Sequence, residues 1–277
     1  MDYKELGLCI GLEVHREMDT HKLFCQCPSI LSDQVDFEIK RKLHSVKSEL
    51  GEEDAVAKYE MQKNKYAIYL GNKETSCLVE IDEEPPHETN KEALFTALIV
   101  SKLLNCKIID EIQFMRKQVL DLSNTSGFQR TGLVALDGFI DTSKGKIGIK
   151  TICLEEDSAK KVKDEKDHVI YRLDRLGIPL IEIATDSSIK DPEHAKEVAE
   201  YLGMVLKSTG RFKSGLGSIR QDVNISIKGH PRVELKGFQD LKGIPKTVEN
   251  EVKRQLEKIN YKKEIKSEVR KVEPDFS

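Results

Sequence analysis

Glu13 and His15 stand two residues apart in the run Gly11-Leu12-Glu13-Val14-His15. On a strand that spacing puts both side chains on one face, about 6.6 Å apart at Cα. An acid beside an imidazole can hold one divalent cation, or the two can belong to an ordinary solvated face. Glu155, Glu156 and Asp157 follow one another at the end of an apolar stretch. Three consecutive carboxylates repel unless water or a cation separates them. Mg²⁺ suits such oxygens and keeps waters and phosphates as its other ligands. A solvated acidic loop is the plain alternative. Glu182 lies inside the apolar run Pro179-Leu180-Ile181-Glu182-Ile183. A carboxylate there is costly without a partner, and that partner is either a metal or a cation such as Arg172 or Arg175.

Residues 217–226 alternate, with Ser218, Arg220, Asp222, Asn224 and Ser226 on one face and Ile219, Val223 and Ile225 on the other. The polar face lines a wet cleft or is merely the solvated side of a sheet. In a cleft, Arg220 suits a phosphate. Glu234 and Lys236 share a face on the next strand by the same period. Arg116, Lys117 and the stretch 121–131 form a polar loop whose small residues let a ligand approach closely. Cys25 and Cys27 make a C-x-C pair with Cys77 as a distant third thiol. Zn²⁺ normally takes four ligands, and no second C-x-x-C is present, so a complete zinc site is not expected. Cys9, Cys106 and Cys153 stand in apolar contexts and read as core.

The elements that must position these residues are short and mixed. Alternation predicts strands over 6–15, 66–70, 75–81, 109–116, 131–140, 146–154, 169–174, 179–185, 218–227 and 232–236. A charged amphipathic helix is predicted over 49–65. A second covers 90–104, with Ala93, Leu94, Ala97, Leu98, Val100, Ser101 and Leu104 inward. Asp191 caps a third helix to about 206, with Pro192 at its first position. A fourth runs over 245–259. Helices come singly between groups of strands, which favours an α+β fold with an antiparallel sheet. The chain lacks G-x-G-x-x-G and G-x-x-x-x-G-K-[ST], so any nucleotide is held by neither a Rossmann turn nor a P-loop.

Composition narrows the classes further. The chain has 277 residues, 45 Lys+Arg and 48 Asp+Glu, for a formal net charge of −3. That charge argues against a globally basic nucleic-acid coat. No apolar run is long enough to span a membrane. The N-terminus lacks the pattern of a signal peptide. The 6 cysteines then read as reduced thiols or metal ligands, and the expected location is cytoplasmic.

Taken in order, seven motifs resemble the B/E subunits of Glu-tRNA(Gln) amidotransferase. They are GLEVH (11–15), the C-x-C-P loop (25–28), EEPPH (83–87), LEEDSAK (154–160), DRLGIPLIEIATD (174–186), GSIRQDVNIS (217–226) and VELKG (233–237). The resemblance covers nearly the whole chain and is nearer the archaeal E type than the B type. An insertion over about 30–76 follows the C-x-C-P loop, and the second C-x-x-C usual in the B type is missing. Residues 121–131 stand where the B type has a loop rich in Tyr and Pro. The resemblance implies a catalytic cradle over 1–261, an antiparallel sheet flanked by helices like glutamine synthetase and guanido kinases. Residues 262–277 would lead toward an aspartyl-tRNA-synthetase-like insert, followed by helical and tail domains. The chain would then be a truncated form or an isolated cradle.

The same resemblance implies the chemistry. ATP phosphorylates the γ-carboxylate of Glu misattached to tRNA(Gln), and ammonia displaces the phosphate. Glu13, His15, Glu155, Glu156 and Glu182 are assigned to a Mg²⁺ region, with Asp157 as a close alternative. His15 would bind through water or favour Mn²⁺. Arg220 would stabilise the transferring phosphoryl group, with Arg175, Ser218 and Lys236 toward the phosphates. Asp222 and Asn224 would position metal or deprotonate and orient ammonia. Ser123, Gln129 and Arg130 would meet the acceptor end of Glu-tRNA(Gln). The implied partner is the D subunit, an asparaginase-like amidase that supplies ammonia, in a dimer of heterodimers. Two other readings stay open: a tRNA-acceptor scaffold without chemistry, and a small-molecule carboxylate–amine ligase of glutamine synthetase type.

Overall fold

The computed structural model describes residues 1–42, 51, 61, 64–215 and 217–259. The first strand, β1 (Cys9–Glu17), alternates as its sequence requires: Ile10, Leu12 and Val14 are buried, while Glu13 and His15 point to the other face. Then come β2 (Phe37–Lys42), β3 (Tyr66–Gly71), α1 (Lys91–Leu103), β4 (Lys107–Ile108), β5 (Phe114–Gln118), β6 (Phe128–Thr142) and β7 (Gly145–Glu156). The chain continues through β8 (Lys160–Asp164), β9 (His168–Arg172), β10 (Pro179–Thr185), α2 (Pro192–Ser208), β11 (Ile219–Ser226), β12 (Val233–Phe238) and α3 (Ile244–Ile259).

The larger sheet has the order β12-β11-β1-β10-β7-β6-β4, with β5 also paired to β6. Every pairing in it is antiparallel. The α+β reading with an antiparallel core therefore holds. A second sheet, β2-β3-β9-β8, adds to that reading, and its central pair β3–β9 is parallel.

One face of the large sheet is apolar and carries the helices. Ile152, Leu154, Ile181, Ile183, Val223 and Ile225 join Ala97, Val100, Val198, Leu202, Val248 and Val252 in one core. The helices begin where side chains satisfy their first N–H groups. Asn90 accepts from the Ala93 N–H at 3.0 Å, and Asp191 from the His194 N–H at 2.9 Å. Leu202 is fully buried on α2, so Leu202→Ala costs about 2–5 kcal/mol. Gly138 in β6 serves a close approach: a Cβ there would lie 2.5 Å from the Leu104 carbonyl oxygen.

One expected strand is absent and another is shortened and shifted. Residues 75–81 form consecutive turns, because Glu80 folds back so that its carboxylate accepts from the Cys77 N–H at 2.7 Å. Of the expected strand over 109–116, only 114–116 are strand, at the start of β5, and 109–113 connect β4 to β5. The predicted helix over 49–65 and the segment 262–277 lie outside the described residues, apart from isolated positions of the former. Among the described residues, no helix is long and apolar enough to cross a membrane.

Candidate active site

The polar face of the large sheet is assembled by register. β1 is central, and its neighbours set His15 opposite Glu182 on β10 and Arg220 on β11, with Glu13 opposite Asp222. Opposed residues of an antiparallel pair project to the same face. Farther across, Glu155 on β7 stands opposite Leu180 on β10 and Thr131 on β6. Five strands thus deliver their polar residues to one surface.

His15, Glu155 and Glu182 form the tightest group. Their ligand atoms all lie within 4.8 Å of one another. His15 Nε2 is 3.3 Å from Glu182 Oε2. Glu155, 2% exposed, accepts from Thr131 Oγ1 at 2.8 Å and from Gln129 Nε2 at 3.3 Å. Lys117 Nζ lies 3.5 Å from Glu155 Oε1 and 3.8 Å from Glu182 Oε2. Burial alone would depress the His15 imidazolium, but the hydrogen bond and charge of Glu182 hold its pKa above the usual value. Burial pushes the Glu155 carboxyl up, and the charge of Glu182 adds to this. Glu182 ends below the usual range: His15 and Lys117 outweigh its burial. One imidazole and two carboxylates whose charges repel are a donor set that Mg²⁺ or Mn²⁺ would relieve. Sequence alone puts Lys117 in a polar loop. It reaches the site because β5 pairs with β6 and sets it opposite Gln129.

Glu13 does not join that group. With Asp222 and Glu234 it forms a second set of ligand atoms within 4.8 Å. Asn224 Nδ2 donates to Glu13 Oε1 at 3.1 Å, and Lys236 Nζ is 3.0 Å from Glu234. The single convergence expected from strand spacing is therefore two adjacent groups, because β11 and β12 draw the carboxylate of Glu13 toward their side.

The consecutive acids are separated by the pleat. Glu156 faces away from Glu155 and pairs with Arg130 at 3.2 Å. Burial pushes its carboxyl up despite the guanidinium. Asp157, 1% exposed, binds Arg220 at 3.0 Å and has Arg175 Nε 3.8 Å away. That Nε donates to the Ser158 carbonyl at 2.7 Å, and Nη2 donates to the Ala159 carbonyl at 3.0 Å. Ser218 donates to the Gly215 carbonyl at 2.8 Å, closing a turn before β11. Ser123 is buried in a loop fastened to the small sheet by Tyr69 and Tyr171, which donate to the carbonyls of Leu122 and Asp121. Gln129 opens onto the Glu155 side, whereas Arg130 lies over the Phe24 and Phe128 rings with its charge on Glu156.

Residues 8–275 match the family model described as GatB/GatE catalytic domain. The chain is 54% identical over 265 residues to the E subunit of glutamyl-tRNA(Gln) amidotransferase from Thermococcus gammatolerans, covering 96% of this chain and 42% of that protein. It is 51% identical over 276 residues to the corresponding protein of Archaeoglobus fulgidus, covering 99% of this chain and 45% of that protein. It is 53% identical over 268 residues to that of Methanocaldococcus jannaschii, covering 96% and 42%. The chain thus spans less than half the length of the curated relatives it matches.

Proposed function

Because the chain belongs to the GatB/GatE catalytic-domain family, we propose that it carries the amidating chemistry of a tRNA-dependent amidotransferase. The substrate is Glu esterified to tRNA(Gln), the γ-carboxylate is activated by ATP, and ammonia from a partner amidase replaces the phosphate. The observation that carries this reading is the His15–Glu155–Glu182 group on the open face of the sheet. A divalent cation held there supplies the positive charge that lets two anions, the carboxylate and the triphosphate, come together.

The chain's own residues do the remaining work. Arg220 is anchored through one nitrogen to Asp157, and its guanidinium remains partly exposed to meet a phosphoryl group. Lys117 and Lys236 add mobile positive charge on either side. Asp222 and Glu13 are carboxylates able to accept a proton from ammonium, which is not itself a nucleophile. Asn224 holds Glu13 in place for that task.

The test uses the full-length protein with its amidase partner, Glu-tRNA(Gln), ATP and Mg²⁺. Glu182→Gln and His15→Ala are expected to lower amidation at least about a hundredfold while thermal unfolding is unchanged. Near-wild-type turnover in both variants overturns the site. Equal amidation of free glutamate would favour a small-molecule ligase, and amidation without ATP would remove the activation step.

A further inference from the structure

Glu155 is held from β6 on both of its oxygens. Thr131 stands directly opposite it across the β6–β7 pair, and Gln129 lies two residues earlier on the same face of β6. The Thr131 hydroxyl donates to Glu155 Oε1 at 2.8 Å, and Gln129 Nε2 donates to Oε2 at 3.3 Å. Gln129 Nε2 also donates to the Glu156 carbonyl at 2.8 Å. That carbonyl can only accept, so it fixes which way the amide is turned. We propose that Thr131 and Gln129 are positioning residues that hold Glu155 in place as a cation ligand, which rests on a divalent cation being bound by His15, Glu155 and Glu182.

Two features go beyond the ordinary pairing of a buried acid. The first is that both donors are neutral. A carboxylate has about four lone-pair sites on its two oxygens. Thr131 and Gln129 take one on each oxygen and leave the negative charge to attract an ion. Lys117, the third donor beside Glu155, brings a positive charge that opposes one. The second is that the restraint is stiff. Thr131 is 7% exposed and Glu155 2%, and Gln129 is fastened to the main chain of the residue next to the acid it holds. Glu182, by contrast, leans on His15 at 3.3 Å and on the half-exposed Lys117 at 3.8 Å.

A ligating carboxylate that is itself hydrogen-bonded needs no reordering when the ion arrives, and removal of such a partner commonly costs 10- to 100-fold in metal affinity. Both N–H groups of Gln129 are spent on Glu155 and Glu156. Its part in the reaction therefore lies with the acid, and not with the acceptor end of tRNA. The shorter bond belongs to Thr131, so the larger effect is expected there.

The experiment titrates Mn²⁺ into the full-length protein with its amidase partner, without nucleotide, by calorimetry and by the Mn²⁺ electron-spin signal. Glu182→Gln identifies the binding event that belongs to this site, because it removes a ligand. Thr131→Val keeps the branched shape and loses the hydroxyl. Its dissociation constant for that event should rise about 10- to 100-fold, and that of Gln129→Leu about tenfold. Thr131→Ser restores the donor and should stay within about threefold of wild type. The Mg²⁺ concentration that half-saturates amidation should rise in step, while KM for Glu-tRNA stays within about threefold. A thermal melt accompanies each variant, and if Thr131→Val does not fold, Gln129→Leu at the partly exposed amide carries the same test. Wild-type Mn²⁺ affinity in the folded variants, with binding lost in Glu182→Gln, overturns the proposal alone. A raised KM for Glu-tRNA in Gln129→Leu at unchanged Mn²⁺ affinity overturns it for Gln129. Undiminished binding in Glu182→Gln overturns the cation site itself, and the proposal with it.

Discussion

Asp157 holds Arg220. The guanidinium Nη2 donates to Asp157 Oδ1 at 3.0 Å, from β11 to the end of β7, across β1 and β10. Asp157 is 1% exposed, so the contact lies in a region where a charge-assisted bond is strong. The arginine is thereby aimed along the same face as His15, its direct neighbour across the β1–β11 pair.

Loss of that anchor should be felt in catalysis more than in folding. Asp157→Asn keeps the shape and removes the charge. A hydrogen bond to a charged group contributes about 1.5–3 kcal/mol, so kcat for ATP-dependent amidation by the full-length protein should fall roughly 10- to 100-fold. KM for Glu-tRNA should stay within about threefold of wild type. Steady-state kinetics beside a thermal melt checks this. An unchanged kcat would mean that Arg220 needs no anchor.

Lys117 and the proposed divalent cation would compete for the same two carboxylates. The ammonium lies 3.5 Å from Glu155 and 3.8 Å from Glu182, close enough to repel an ion held by both. Its side chain is 57% exposed, so it can swing aside and the penalty is screened. Lys117→Met should therefore tighten binding of Mn²⁺ alone, by roughly tenfold. Calorimetric titration in the absence of nucleotide measures it. Weaker binding would show that Lys117 supports the cation site in place of opposing it.

Glu155 and Glu156 are neighbours in sequence with opposite roles. Glu156→Gln leaves the half-buried Arg130 guanidinium without the charge of its buried partner, and should cost about 1–3 kcal/mol. Glu155→Gln removes repulsion against Glu182. Because the folded-state pKa of Glu155 is raised, its protonated form favours folding, and that contribution is lost as pH rises through the folded value. Glu155→Gln should then be as stable as wild type, or more so, at neutral pH. Denaturant titrations of both variants at pH 7 decide the contrast, which fails if Glu155→Gln is the more damaging.

Why some of this is legible in the sequence and some is not follows from particular residues. The bounds of β10 can be read to the residue, because Pro179 starts it and Ile181 and Ile183 alternate around Glu182. The helices at Asn90 and Asp191 are legible from their caps and apolar spacing. β8, Lys-Lys-Val-Lys-Asp, is exposed throughout and gives no alternation to read. The Lys117–Glu155 contact depends on β5 pairing with β6, and the two carboxylate groups depend on the β1–β11 and β1–β10 registers. Such long-range pairings are set by tertiary packing and leave no mark in local spacing. The pleat that separates Glu155 from Glu156 is legible in principle, since adjacent strand residues face opposite ways.

Selection of tRNA should reside largely outside these residues. Affinity for a nucleic-acid backbone comes mainly from Lys and Arg neutralising phosphates. Here 45 basic residues are outweighed by 48 acidic ones. The basic groups nearest the proposed site are already engaged: Arg130 with Glu156, Arg175 with the 158–159 carbonyls and Asp157, and Lys236 with Glu234. Of the stretch 121–131, with Ser123, Gln129 and Arg130 expected from the sequence to meet the acceptor end, Leu122–Ser126 are buried against the small sheet. Residues 1–277 alone should therefore bind tRNA weakly, with dissociation constants in the range of about 10⁻⁴–10⁻⁶ M typical of non-specific contacts at physiological salt. Preference for tRNA(Gln) over another tRNA should be less than about threefold. The full-length relatives, more than twice as long, should bind more tightly and discriminate. Gel-shift titrations of the two lengths, repeated at several salt concentrations, measure both affinity and the number of phosphate contacts. Tight and selective binding by residues 1–277 would place tRNA identity within this domain, and would require basic residues now paired internally to be released to the nucleic acid.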